Sequence, residues 1–207
     1  MQPLALTACL AVLLPCLALA RPVSYPGGVT IMQMTDVDAH SLHLHQSPTA
    51  RYSLGYRGIY WRDTDVQFHG VQLNQLVKRW NKPASQANIY LKSGIGLMVD
   101  DTQDMAAFTG FSADWEDRRY FTYYEARFFA AESMDGAFTQ KARVGIAPYI
   151  GDYGDLHTWL MLQVDHDHEK DDPITLTPLI RLFKSEYLAE IGLNEDGKVL
   201  FNFIVRL

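Results

Sequence analysis

The sequence predicts an all-β fold, a single antiparallel up-and-down β-barrel of about 10–12 strands, and three observations predict it. After Pro26-Gly27-Gly28 the chain is a succession of short segments rich in Val, Ile, Tyr, Phe and Thr, separated by turn-forming clusters. Several of these segments alternate apolar and polar residues with period two, the spacing that sends successive side chains to opposite faces of a strand. No stretch sustains the 3.6-residue apolar period of an amphipathic helix.

In chain order the breaks fall at Gln46-Ser47-Pro48-Thr49, Arg62-Asp63-Thr64-Asp65, Asn81-Lys82-Pro83-Ala84-Ser85, Asp100-Asp101-Thr102, Met134-Asp135-Gly136, Gly151-Asp152-Tyr153-Gly154 and Asn194-Glu195-Asp196-Gly197. Pro, Gly, Asn and Asp punctuate them because each presets or tolerates turn dihedrals. Between the breaks, Arg51, Ser53, Gly55 and Arg57 oppose Tyr52, Leu54, Tyr56 and Gly58. The segment from Gln67 to Trp80 loses its register partway, which predicts either a bulge or a different strand boundary. From Ala87 to Val99 one face carries Ala87, Ile89, Leu91, Ser93, Ile95, Leu97 and Val99, and the other Asn88, Tyr90, Lys92, Gly94, Gly96 and Met98. Glu125 and Arg127 oppose Tyr124, Ala126 and Phe128, and Lys141, Arg143 and Gly145 oppose Ala142, Val144 and Ile146. The last segment sets Val199, Phe201, Phe203, Val205 and Leu207 against Lys198, Leu200, Asn202, Ile204 and Arg206.

At 207 residues, 48% hydrophobic and 20% charged, the chain is long enough for one sizeable core and too apolar for disorder. Its net charge of -6, with Lys and Arg dispersed, offers no basic surface for nucleic acid. Residues 1–20 carry no charge, are dominated by Leu and Ala, and end in Leu17-Ala18-Leu19-Ala20 before Arg21-Pro22. Small residues at Ala18 and Ala20 suit signal-peptidase cleavage, so the expected organisation is a signal peptide over 1–20 and a barrel over 21–207. The segment lacks the Lys or Arg that export signals usually carry near Met1, and Leu6-Thr7-Ala8-Cys9 forms a lipobox-like run. Cys9 and Cys16 are the only cysteines and fall inside the signal, so the mature chain is expected to use neither disulfides nor thiolate metal sites.

Period-two alternation describes a soluble barrel and a membrane barrel equally well, the one being the other turned inside out. Short turns, strands of about nine to eleven residues, and aromatic residues near segment ends (Tyr60, Trp61, Trp80, Trp115, Tyr120, Tyr149, Tyr153) favour the membrane. The polar faces carry both signs of charge, among them Arg51, Arg57, Lys92, Glu125, Arg127, Lys141, Arg143, Asp165, Arg181, Glu190 and Arg206, as a narrow ion-paired lumen requires. In such a lumen Arg127 and Arg143 are expected to pair with Glu125 or Asp165 across neighbouring strands, and the interior to be plugged. A soluble periplasmic metal- or ligand-binding β-barrel is the alternative.

The run Val199-Leu200-Phe201-Asn202-Phe203-Ile204-Val205-Arg206-Leu207 resembles the C-terminal strand of bacterial outer-membrane β-barrels, although those usually end in an aromatic residue and this one in Leu207. Ser47-Pro48-Thr49-Ala50-Arg51-Tyr52-Ser53-Leu54-Gly55-Tyr56 and Leu76-Val77-Lys78-Arg79-Trp80-Asn81 are similar to uncharacterised envelope proteins associated with bacterial heavy-metal resistance loci. The resemblance implies an outer-membrane location, with lipid as the surroundings, and an accessory role in metal handling without catalysis.

Histidine placement carries the chemistry. His40, His43 and His45 lie together, and two imidazoles two apart on a strand can hold one copper or zinc ion, with Asp36 or Asp38 as oxygen ligand and Met32 or Met34 as thioether. A second cluster runs Asp165-His166-Asp167-His168-Glu169-Lys170-Asp171-Asp172, where His166 and His168 again repeat at two. Ser41 beside His40 or His43 is the one pair that a lipid-modifying barrel enzyme could use, with no carboxylate placed to activate it. Gly94 and Gly96 fall inside a strand, so they form no nucleotide loop.

Overall fold

In a computed structural model, twelve strands form a closed antiparallel barrel in which every strand pairs with its neighbours in sequence and β12 returns to β1. The structure describes residues 22–132, 134–152, 154–169 and 173–207. The expected signal peptide over 1–20 lies outside these residues, as do Tyr153 and residues 170–172 of the acidic loop.

The strands are β1 Val29–Thr35, β2 Ala39–Thr49, β3 Tyr52–Trp61, β4 Gln67–Lys82, β5 Ser85–Val99, β6 Gln103–Asp117, β7 Tyr120–Ala131, β8 Met134–Ile146, β9 His157–Asp167, β10 Ile174–Lys184, β11 Tyr187–Leu193 and β12 Val199–Arg206. Closure is completed beside the C-terminus, where Val29 and Leu207 exchange two backbone hydrogen bonds of 2.8 Å. This end is called the terminal mouth below, and the end at turn 36–38 the far mouth.

The turns agree with their chemistry. Asp36 Oδ1 accepts from the backbone N–H of Asp38 and Ala39 and so closes the first hairpin. At the Asp100 turn, the backbone N–H and hydroxyl of Thr102 bond Asp100 Oδ1 and hold its carboxyl below the ordinary carboxylate range. The register break expected in Gln67–Trp80 is a bulge between Leu76 and Lys78. The expected turn at Met134 is instead the start of β8.

The barrel is inverted relative to a soluble protein. Leu42, Leu54, Val71, Leu91, Ile95, Leu160, Ile180 and Ile191 point outward and are exposed, whereas Arg57, Asn74, Lys92, Arg143, Gln163 and Glu190 point inward and are buried. Exposed aromatic side chains bound this apolar belt. Tyr52, Trp80, Trp115, Tyr120 and Tyr187 stand at strand ends nearest the terminal mouth, and Lys78 Nζ lies over the Trp80 ring at 5.9 Å. In water such an exterior would aggregate; in a bilayer it is the required surface, and closure leaves no unpaired strand edge in the hydrocarbon. An apolar belt around a polar interior, bounded by aromatic side chains at the terminal mouth, makes the chain an outer-membrane β-barrel. The soluble reading is set aside by the same exterior.

Apolar side chains fill the lumen at two diagonal positions. Toward the far mouth, Ile59, Phe68, Met98, Phe108 and Phe129 pack together, with Phe68 meeting Phe108 and Phe129 edge-to-face at 5.8 and 5.2 Å. Trp61, expected in an outer aromatic belt, turns inward and packs on Phe129 at 5.4 Å, because its position in β3 shares the face of Arg57 and Ile59. Gly94 makes room for this cluster, since a Cβ there would lie 2.3 Å from the Phe108 ring. Toward the terminal mouth, Phe121, Trp159, Met161 and Leu179 form the second cluster.

Candidate functional site

Between the two apolar clusters lies a belt of charge. Glu125 Oε2 accepts from Lys92 Nζ at 2.6 Å and from the Tyr123 hydroxyl, and Oε1 accepts from Arg127 at 2.5 Å. Tyr123 pairs in register with Arg143, and this joins the first group to a second. There, Glu190 accepts from Arg143 at 2.9 and 3.0 Å, from Arg181 Nε at 2.6 Å and from Asn202 Nδ2 at 2.6 Å. Arg181 also lies over the Phe121 ring at 4.6 Å, so the charged belt rests directly on the second apolar cluster.

The pairings differ from the expected ones. Arg127 takes Glu125 of its own strand, and Arg143 of β8 reaches across to Glu190 of β11 rather than to a neighbouring strand. Asp165 is left to Lys141 at 3.5 Å, and Lys141 also faces Asp36 at 3.9 Å across the far mouth. Inside a barrel, side chains from non-adjacent strands meet over the lumen, and a register table of neighbours does not show this.

Arg57 has a different environment. Its NH1 donates to His43 Nδ1 at 2.9 Å and to Gln72 Oε1 at 3.4 Å, its Nε has no hydrogen-bond partner, and the side chain is buried. Among the described residues both bonded partners are neutral. The belt thus sets five cations, Arg57, Lys92, Arg127, Arg143 and Arg181, against two bonded carboxylates, Glu125 and Glu190.

The histidine clusters are divided by the strand period. His43 and His45 share the lumen face, but His40 stands on the outer face, stacked on Tyr60 and bonded to Thr35 Oγ1 at 2.9 Å. Asp36 and Asp38 remain in the turn, and Met32, level with His43, lines the same wall. His43 uses both ring nitrogens, Nδ1 toward Arg57 and Nε2 toward Ser41 Oγ at 3.4 Å. His166 faces outward beside His168, their ring centroids 6.4 Å apart, and its Nδ1 meets Gln140 at 3.4 Å. Among the described residues, no three or more His, Cys, Asp or Glu side chains converge as metal ligands would.

The Ser41–His43 pair is oriented against nucleophilic catalysis. A histidine that activates serine needs a free Nε2 to receive the proton and an acceptor at Nδ1 to stabilise the resulting imidazolium. Here Nδ1 accepts from a guanidinium, which leaves Nε2 carrying the hydrogen and pointing it at Ser41.

Two features of the interior escaped the sequence. Buried amides, Gln72, Asn74, Asn88, Gln163 and Asn202, knit the charges together; the period-two pattern put Asn88 and Asn202 on the polar face without revealing their bonds to Asp114 and Glu190. The other is the segment 22–24, whose Val23 is buried and whose backbone bonds Ser47 and Ser53.

Neither a protein-family model nor a curated protein matches the sequence. Among solved structures it is similar to a KdgM porin, with a TM-score of 0.46 and 8% identity over 86% of this chain and 96% of that one. A KdgM porin in complex with disordered oligogalacturonate gives a TM-score of 0.47 and 9% identity over the same shares. Neither match concerns heavy-metal resistance.

Proposed function

We propose that this chain is a non-enzymatic outer-membrane barrel whose narrow polar lumen admits small anionic solutes. The observation that carries this reading is the excess of cations in the central belt, with buried Arg57 bonded only to neutral groups. A buried charge without a counter-charge is costly to keep, and a passing anion would offset that cost. Field focusing in a low-dielectric pore then favours anions over cations.

The test is the reversal potential of the detergent-folded protein in a planar bilayer under a salt gradient. Small unitary currents that favour anions, and lose that preference in Arg57→Gln, are expected. Cation preference, or the large steps of a wide porin, would overturn the reading.

Metal handling is a second reading, now supported by the neighbouring rings of His166 and His168 rather than by the lumen histidines. Two imidazoles and nearby carboxylates give a weak, exposed site for zinc or copper. Calorimetry with either ion on His166→Ala/His168→Ala beside the parent chain tests it, and unchanged binding removes the site.

A further inference from the structure

The terminal mouth of the lumen is occupied by the chain's own residues 22–24. At Gly27, whose φ of +88° suits glycine, the chain turns back across the opening, and Gly27 N and Ser47 N extend the β2 hydrogen bonding past the strand. Ser24 N–H then donates to Ser47 Oγ at 2.9 Å, and the Pro22 carbonyl accepts from Ser53 Oγ at 2.6 Å. Val23, between these anchors, is 3% exposed. Ser47 and Ser53 are fully buried and face inward from β2 and β3, so the segment lies within the barrel wall rather than over its rim.

The anchor is tied to the charged belt. Ser53 Oγ accepts from Asn74 Nδ2 at 3.0 Å, Asn74 Oδ1 accepts from Gln72 Nε2 at 2.5 Å, and Gln72 Oε1 accepts from Arg57. One row of hydrogen bonds therefore runs from the Pro22 carbonyl to the guanidinium that lacks a carboxylate.

We propose that residues 22–24 are a resident stopper of the terminal mouth, seated by Ser47 and Ser53, and that the lumen conducts only when it leaves. The gating half rests on the reading of the lumen as a solute path; the seating does not. A backbone held by two serine hydroxyls, with one apolar side chain buried, is bound as a short peptide would be. No part of it belongs to the sheet ladder, so its release leaves the barrel intact.

The test uses the detergent-folded full chain with Cys9→Ala and Cys16→Ala, so that an introduced cysteine is the sole thiol. Ser47→Cys reports on the seat directly, and Thr30→Cys, also fully buried at this mouth, leaves both serine anchors in place. Val23→Asp, which puts a carboxylate where the apolar side chain is buried, is the releasing change. Heat-modifiable gel mobility confirms that each variant is folded. A water-soluble methanethiosulfonate reagent should label either thiol at least about tenfold faster with Val23→Asp than without, since exposure follows the open population. Equal labelling rates in folded proteins at both positions overturn the stopper. Bilayer currents taken on the same samples separate the two ideas. Faster labelling with larger current supports both, and faster labelling with no current in either protein leaves the stopper standing and removes solute passage.

Discussion

Replacing Glu190 by Ala should cost more stability than any other single loss of charge in the barrel. Its carboxylate is the common acceptor for Arg143, Arg181 and Asn202, and the three charged side chains are 3%, 7% and 6% exposed for Glu190, Arg143 and Arg181. At such burial no discount for solvent screening applies, and removing one partner of a buried pair costs about 3–5 kcal/mol because the other charge is left uncompensated. Glu190→Gln keeps the shape and an amide oxygen that can still accept, so its cost should fall to about 1–3 kcal/mol. The internal control is Asp36→Asn. Asp36 and Lys141 are 3.9 Å apart and 39% and 23% exposed, so screening reduces their pair to about 1 kcal/mol or less. The assay is urea unfolding in detergent micelles followed by tryptophan fluorescence, for which Trp159 beside the cluster is a local reporter. A Glu190→Ala loss no larger than that of Asp36→Asn would show the belt to be fully hydrated, and would refute the packed lumen.

Three other outcomes follow from the same geometry. Ile95→Arg, at a 58% exposed position within the apolar belt of β5, should cost about 2–4 kcal/mol in lipid, where a soluble surface would absorb it; equilibrium unfolding in vesicles decides. Phe68→Ala removes a fully buried ring from the far cluster and should cost about 3–5 kcal/mol by the same measurement, while admitting small solutes to that side of the lumen in a liposome-swelling assay. Calorimetric titration with copper or zinc should be unaltered by His43→Ala/His45→Ala, since Arg57 and Ser41 already occupy both nitrogens of His43; a lost binding event would restore the lumen histidines as ligands.

The barrel was legible because its pattern is local. Period two in Ala87–Val99 and in the last strand assigns each residue to a face without knowledge of its neighbours, and the break in Gln67–Trp80 marks the bulge at Leu76/Lys78 directly. The same rule applied strictly would have separated His40 from His43, since an odd spacing changes the face. What the sequence could not carry is contact across the lumen. Arg143 and Glu190 are 47 positions apart and three strands removed, and nothing in either strand's pattern selects one partner over Asp165. The seat of Pro22 was hidden for a related reason: Ser47 and Ser53 read as ordinary turn and strand residues, and only closure of the barrel brings a preceding segment over them.

The composition of the lumen bears on the proposed anion path. Where this barrel needs only to fill space it uses Phe, Met, Ile and Trp, as the clusters around Phe68 and Phe121 demonstrate. Replacing buried ion pairs by apolar residues of similar volume is commonly neutral or stabilising, so stability alone gives no reason to stop at two clusters and leave seven ionised groups between them. Two of the cations beyond a one-to-one pairing belong to the group around Glu125, where Lys92 and Arg127 share a single carboxylate and Arg57 has none bonded. A purely structural network would be expected to balance its charges; at the far mouth the excess has the opposite sign, with Lys141 facing both Asp36 and Asp165. The Glu190 group carries one cation in excess, and the Glu125 level, where Arg127 lies over the Phe108 ring and Gln72, Asn74 and Ser53 lead toward the terminal mouth, carries two. Under the proposed reading, a cation-rich level with residues 22–24 at the end of its hydrogen-bond row is the arrangement expected of a lumen that selects anions and is closed at rest.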